Sequence, residues 1–189
     1  MSTFIDQHQT NELKFKNLKF PLDVGGPFDV KLLCCGTLAD GDAFAEEDML
    51  YPVGYMSTTP FQCAINSRQT CRYVCEIRAS PNGAKPVFSV MPPCAPQHGA
   101  EANSPYMAWR KVWSAVRSTC PLGRAIVDAS ARFGLSLPHT RRALQLLPGI
   151  EHVTKYTCLP PEEIAQTVVQ SQPTKVIHLI DDDDDDDDD

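Results

Sequence analysis

Residues 50–61 read Leu50-Tyr51-Pro52-Val53-Gly54-Tyr55-Met56-Ser57-Thr58-Thr59-Pro60-Phe61. Pro52 fixes its own φ and pushes Tyr51 towards an extended conformation. Gly54 permits a bend, or a backbone approach that a side chain would block. Tyr51, Val53 and Tyr55 alternate, so on an extended chain all three share a face. Two tyrosine rings on one face anchor a small sheet, and each hydroxyl needs a polar partner or water. The pattern favours an aromatic strand in a core over a ligand site.

Working outward, Asp29–Thr37 reads as a strand with the apolar run Leu32-Leu33-Cys34-Cys35. Asp40-Gly41-Asp42 is a turn, and Glu46-Glu47-Asp48 makes a solvated acidic loop with neither calcium-loop nor acid/base spacing. The strand at 50–55 follows, with 61–65 expected as its neighbour. Cys71, Tyr73, Cys75 and Ile77 alternate with Arg72, Val74, Glu76 and Arg78, which predicts a half-buried antiparallel strand. Pro81-Asn82-Gly83 turns the chain into a strand at 87–90, and 91–103 is expected to be loop. Ser104-Pro105 starts a helix: a capping serine, then proline at the first helical position. Tyr106, Trp109, Val112, Trp113 and Val116 form its inward stripe, with Arg110, Lys111 and Arg117 outward. Pro121 and Gly123 interrupt. Ser136-Leu137-Pro138 opens a second helix, with Ala143, Leu144 and Leu147 inward, and Pro148-Gly149 ends it. Residues 151–156 are expected to form a last strand. Strands, two consecutive helices and a strand predict the α+β class.

The residues also carry a resemblance. Leu50-Tyr51-Pro52-Val53-Gly54-Tyr55, Ser57-Thr58 and Phe61 resemble the FYRN region, the phenylalanine/tyrosine-rich N-terminal half of FYR domains. Tyr73-Val74-Cys75-Glu76-Ile77, Pro86-Val87-Phe88-Ser89-Val90, Ser104 and Ala108-Trp109 through Trp113 resemble the FYRC half. Phe133-Gly134-Leu135, Leu147-Pro148-Gly149 and Tyr156 resemble its end. Family members often carry arginine after the Ser-Thr pair; Thr59 stands there in this chain. The resemblance implies one module at 26–158, FYRN about 26–68 and FYRC about 69–158, with an antiparallel sheet and helices on one side. FYR modules occur in trithorax-type histone methyltransferases, plant jumonji demethylases and a transforming-growth-factor-β regulator, and are not the catalytic domains there. It therefore implies a nuclear, chromatin-associated interaction module, a stand-alone adaptor or a fragment, with nuclear or chromatin proteins as partners.

The flanks differ in character. Residues 1–25 read as an N-terminal arm, and Phe15, Leu18 and Phe20 among its lysines fit an edge strand or a docking arm, packing on its own domain being favoured. Residues 159–180 read as a polar linker ending in Val176-Ile177-His178-Leu179-Ile180, and 181–189 are nine aspartates. Like charges with nothing to bury predict a disordered acidic tail. The whole chain of 189 residues carries −7, and removing those nine charges leaves +2, so no strong basic field favours nucleic acid and direct DNA binding is not expected. The acidic run suits histones as weak, salt-dependent partners, or a chaperone-like role. Val176, Ile177, Leu179, Ile180 and the first acid, Asp181, resemble a SUMO-interacting segment, which pairs by strand addition.

Eight cysteines fall at 34, 35, 63, 71, 75, 94, 120 and 158, without zinc-finger spacing, and the first fifteen residues lack a secretory apolar run. Reduced intracellular thiols, no structural metal, no disulfide and no cofactor are expected. No apolar run approaches transmembrane length, so no membrane partner is expected. The chain lacks Gly-x-Ser-x-Gly, P-loop, His-Glu-x-x-His and Gly-x-Gly-x-x-Gly motifs, and its five histidines are isolated in sequence. The expectation is a non-enzymatic chain without a small-molecule substrate; a cryptic enzyme is the weaker alternative.

Overall fold

Alternation builds the sheet. A computed structural model describes residues 14–66, 68–116 and 128–160. Six strands run in sequential order, every neighbour antiparallel: β1 (Leu22–Gly25), β2 (Val30–Cys34), β3 (Met56–Gln62), β4 (Thr70–Ala79), β5 (Pro86–Met91) and β6 (Ala100–Ala102). One face carries Val24, Leu32, Ser57, Phe61, Tyr73, Cys75, Ile77, Phe88 and Val90, all buried. The alternating residues Arg72, Val74 and Glu76 are only half-buried. On that outer side Arg72 bonds Asp29 (2.7 Å), and Arg78 pairs with Glu101. These exposed pairs contribute little to stability.

Helices cover the inner face. Helix α1 (Pro105–Val116) packs on β5 and β6, α2 (Ala129–Phe133) on β3 and α1, and α3 (Pro138–Leu144) on β1. Ser104 caps α1 as expected, its hydroxyl accepting from the Met107 N–H at 3.2 Å. Trp109, Val112 and Val116 are fully buried. Tyr106 is not inward but 53 % exposed. The buried stripe runs through Pro105, Ala108, Trp109, Val112 and Val116, with half-buried Trp113 packed against the core beside it, while Tyr106 and Arg110 roll out into solvent. The Pro138 start is borne out, and Ala143, Leu144 and Leu147 are buried.

Several expectations are corrected. Residues 50–55 do not form a regular strand, and Phe61 lies in the strand that follows, not in a neighbouring one. Gly54 turns the chain at φ +83°. The stretch is nonetheless pinned on both sides. Val53 and Thr37 exchange backbone bonds of 2.9 Å, Gly54 N–H donates to Ile77 O (2.8 Å), and Ile77 N–H donates to Tyr55 O (3.0 Å). The expected arm at 1–25 ends earlier, because Leu22–Gly25 is β1; a helical turn at 14–16 precedes it, and Phe15 and Leu18 pack on the core. Residues 91–103 contain β6, too short and too small-chained to show periodicity. The expected strand at 151–156 is instead a 3₁₀ turn (Ile150–His152) followed by irregular chain. The sheet edges are β1 and β6, and bonds from Thr157 N–H to Glu47 O (2.8 Å) and from Lys155 Nζ to Asp42 O (3.4 Å) tie this segment to the N-terminal half.

Trp109 sits at the centre, its ring 5.3 Å from Phe61 and 5.6 Å from Tyr73 by centroid. Its indole N–H is buried without a polar partner among the described residues. Trp109→Ala should therefore cost about 3–5 kcal/mol of unfolding free energy. Trp109→Phe should cost much less, because it keeps ring contacts and removes the unpaired donor. Chemical denaturation measures both, and equal losses would contradict this placement.

Candidate functional site at the joint of the two halves

The residues singled out by sequence converge on one seam. Helix α2 has only five residues, too few to persist alone. Asp128 caps its start, the carboxylate accepting from Ala131 N–H at 2.9 Å. Gly134 ends it at φ +89°, where Leu135 N–H reaches Ser130 O (2.9 Å) in a Schellman-type closure. Such an end leaves carbonyls without helical donors. The Phe133 carbonyl receives two donors from the sheet: Tyr55 O–H at 2.7 Å and Ser57 O–H at 2.6 Å. Both contacts are buried and join positions about 77 residues apart in the chain. A side chain at Gly134 has no room: a Cβ there would lie 2.9 Å from Val30 Cγ1 and 3.1 Å from the Tyr55 hydroxyl.

Aromatic rings extend the seam. Tyr51 meets Phe88 edge-on at 5.0 Å, and Phe88 meets Phe133 edge-on at 5.8 Å. Phe61 meets Tyr73 at 5.5 Å, next to Trp109. Arg132 lays its guanidinium over Phe28 (4.2 Å) and Phe61 (5.0 Å), and burial pulls its pKa down. Thr59 is fully buried and donates to the Phe28 carbonyl at 3.0 Å. Tyr156 accepts from Gln145 Nε2 (3.2 Å) and lies under Arg141. Pro52 is buried, and Gly54 and Trp113 are half-buried. Burial lifts the Tyr55 phenol far above its ordinary value, so it stays a neutral donor. The motif residues are thus chiefly a joint, not an exposed surface. Val176, Ile177, Leu179, Ile180 and the acidic run from Asp181 lie outside the described residues.

Sequence reasoning missed two groupings. Arg132 was not singled out, because a guanidinium over rings depends on long-range placement. Cys63, Cys71 and Cys94 also come together, their sulfurs within 4.8 Å of one another. Strand register carried that signal: Val74 pairs with Met91, and continuing the ladder three residues sets Cys94 opposite Cys71.

Residues 19–80 match the family described as F/Y-rich N-terminus, and residues 85–163 match F/Y rich C-terminus. The chain belongs to the FYR-domain family. The FYRN match runs through β4, so Tyr73 falls in the first half, whereas the motif reading drew the boundary near 68. Among relatives, a Drosophila melanogaster protein named Histone-lysine N-methyltransferase trr is 27% identical over 125 residues, 61% of this chain and 5% of its own length. Human Transforming growth factor beta regulator 1 is 28% identical over 140 residues, 72% of this chain and 33% of its own. The mouse protein of that name is 25% identical over the same number of residues. This chain thus spans a third or less of these relatives.

The doubly bonded FYR carbonyl gives a specific expectation. Tyr55→Phe or Ser57→Ala alone leaves Phe133 O one donor, and each should cost about 1 kcal/mol. The double variant orphans a buried acceptor and should cost about 1–2 kcal/mol beyond the sum. A denaturation double-mutant cycle measures this, and strict additivity would contradict a shared acceptor.

Proposed function

We propose that this chain is a non-catalytic FYR interaction module, working in the nucleus as an adaptor or subunit of a histone-modifying or transcription-regulating complex. The observation that carries the reading is the fate of the motif. Its rings and hydroxyls are spent on joining FYRN to FYRC, which leaves the outer surface for partners. The name of one relative, a histone-lysine methyltransferase, supports a chromatin setting, and that of another, a growth-factor regulator, supports a regulatory one. Because the match covers only 5% of the first and 33% of the second, the proposal concerns docking and not methyl transfer. Tyr106 and Arg110, exposed one turn apart on α1, are of the residue types that anchor interfaces.

Two further partners fit the sequence beyond the module. The aspartates at 181–189 suit histones, bound weakly and released by salt. Val176, Ile177, Leu179 and Ile180, with Asp181 at the acidic flank, suit SUMO through strand addition, with His178 at the tolerant position.

The test is affinity purification of the tagged full chain from nuclei. Subunits of a chromatin-modifying complex should co-purify, and Tyr106→Ala with Arg110→Ala should deplete them without lowering the melting temperature. A chain excluded from nuclei, or one recovering no chromatin protein, contradicts the reading. In parallel, a labelled 170–189 peptide should bind SUMO saturably, and Ile177→Ala with Leu179→Ala should abolish it. No saturation at several hundred micromolar, roughly the weak end of peptide recognition, removes that partner.

A further inference from the structure

Three cysteines meet at the end of the sheet where β3 ends, β4 begins and the chain leaves β5. Cys63 directly follows β3, Cys71 lies in β4, and Cys94 follows β5. Cys94 Sγ is 3.3 Å from Cys63 Sγ and 3.3 Å from Cys71 Sγ. None of the three is in a disulfide, and Cys63 is buried while the others are half-buried. The separations exceed a disulfide bond of about 2.05 Å by far. They approach the sulfur–sulfur spacing of about 3.8 Å that follows from tetrahedral zinc–thiolate bonds of about 2.3 Å.

The surroundings offer donors to sulfur. Backbone N–H groups of Ile65 and Asn66 point at Cys63 Sγ. Donors of this kind orient a metal-bound sulfur and offset its charge. Cys63 is itself held, its N–H bonding Gln69 O at 2.9 Å across the β3–β4 turn. Ala64, Ala95 and Val116 pack beside Cys94 as a small apolar cluster separate from the main core. That shell limits water on one side, while half-exposed Cys71 leaves a way in.

We propose that Cys63, Cys71 and Cys94 form a three-thiolate site for a thiophilic divalent ion of the zinc class, with water in the fourth position. Binding displaces thiol protons as the three sulfurs coordinate. The ion would clamp the β3–β4 turn to the segment after β5, replacing weak thiol–thiol contacts beside the small apolar cluster. This departs from the expectation of no structural metal, which rested on the scattered cysteine spacing and the intracellular character of the sequence. The ladder register, not a short motif, supplies the ligand set. The proposal does not rest on the chromatin reading.

The experiment loads the full-length reduced chain with Co²⁺ and with Zn²⁺ under anaerobic conditions. Thiolate-to-cobalt charge-transfer absorption separates sulfur ligation from loose binding by the aspartate run, which lacks such a band. One ion per chain, the charge-transfer band and a raised melting temperature are expected. Cys71→Ser and Cys94→Ser should each weaken binding by more than the roughly 10–100-fold of outer-shell changes. Both should leave the metal-free melting temperature nearly unchanged, and Cys34→Ala should retain the site. Absence of the band in the native sequence, or a band that survives Cys71→Ser and Cys94→Ser, would overturn the proposal.

Discussion

A single carbonyl organises this fold. Phe133 O ends a five-residue helix that cannot persist alone, and its donors come from the sheet. Tyr55 and Ser57 stand two residues apart, so strand alternation points both at the same spot. The bonds are buried, where an orphaned acceptor is costly. Gly134 must follow at once, because any side chain there would strike Val30 and the tyrosine hydroxyl. FYRN thus supplies the donors and FYRC the acceptor and its glycine. Neither half completes this arrangement by itself.

The aromatic residues act through the same constraint. Tyr51–Phe88–Phe133 and Phe61–Tyr73–Trp109 are two ring chains crossing between the halves. Their edge-on contacts add directional preference to simple burial. Arg132 closes the second chain with its guanidinium over Phe28 and Phe61. An F/Y-rich composition is therefore the signature of a joint. The outer surface, including Tyr106 and Arg110, carries no comparable demand.

Legibility followed periodicity. Tyr73, Cys75 and Ile77 alternate, and the structure buries all three fully. Ser104 and Pro138 mark helix starts by capping chemistry and fixed φ, and both starts hold. Where period is short or absent, sequence failed. β6 has three residues and α2 has five, and neither spans enough chain for a pattern. Residues 151–156 have strand-like composition, yet they pair with neither edge strand, β1 or β6, and form a 3₁₀ turn and irregular chain instead. Tyr106 fits a broad helical stripe by spacing, but the actual contact line lies one row over. The tyrosines at 51 and 55 were readable as core; their particular partners, Phe88 and the Phe133 carbonyl, depend on three-dimensional closure.

The most direct measurement divides the chain at the Pro81-Asn82-Gly83 turn into fragments 1–82 and 83–189. Amide NMR spectra and thermal melts are recorded for each fragment and for their mixture. Each fragment alone should give collapsed, undispersed spectra without a cooperative melt, and mixing should restore dispersed peaks and one transition. A fragment that melts cooperatively by itself, or a mixture no different from its parts, would contradict the account.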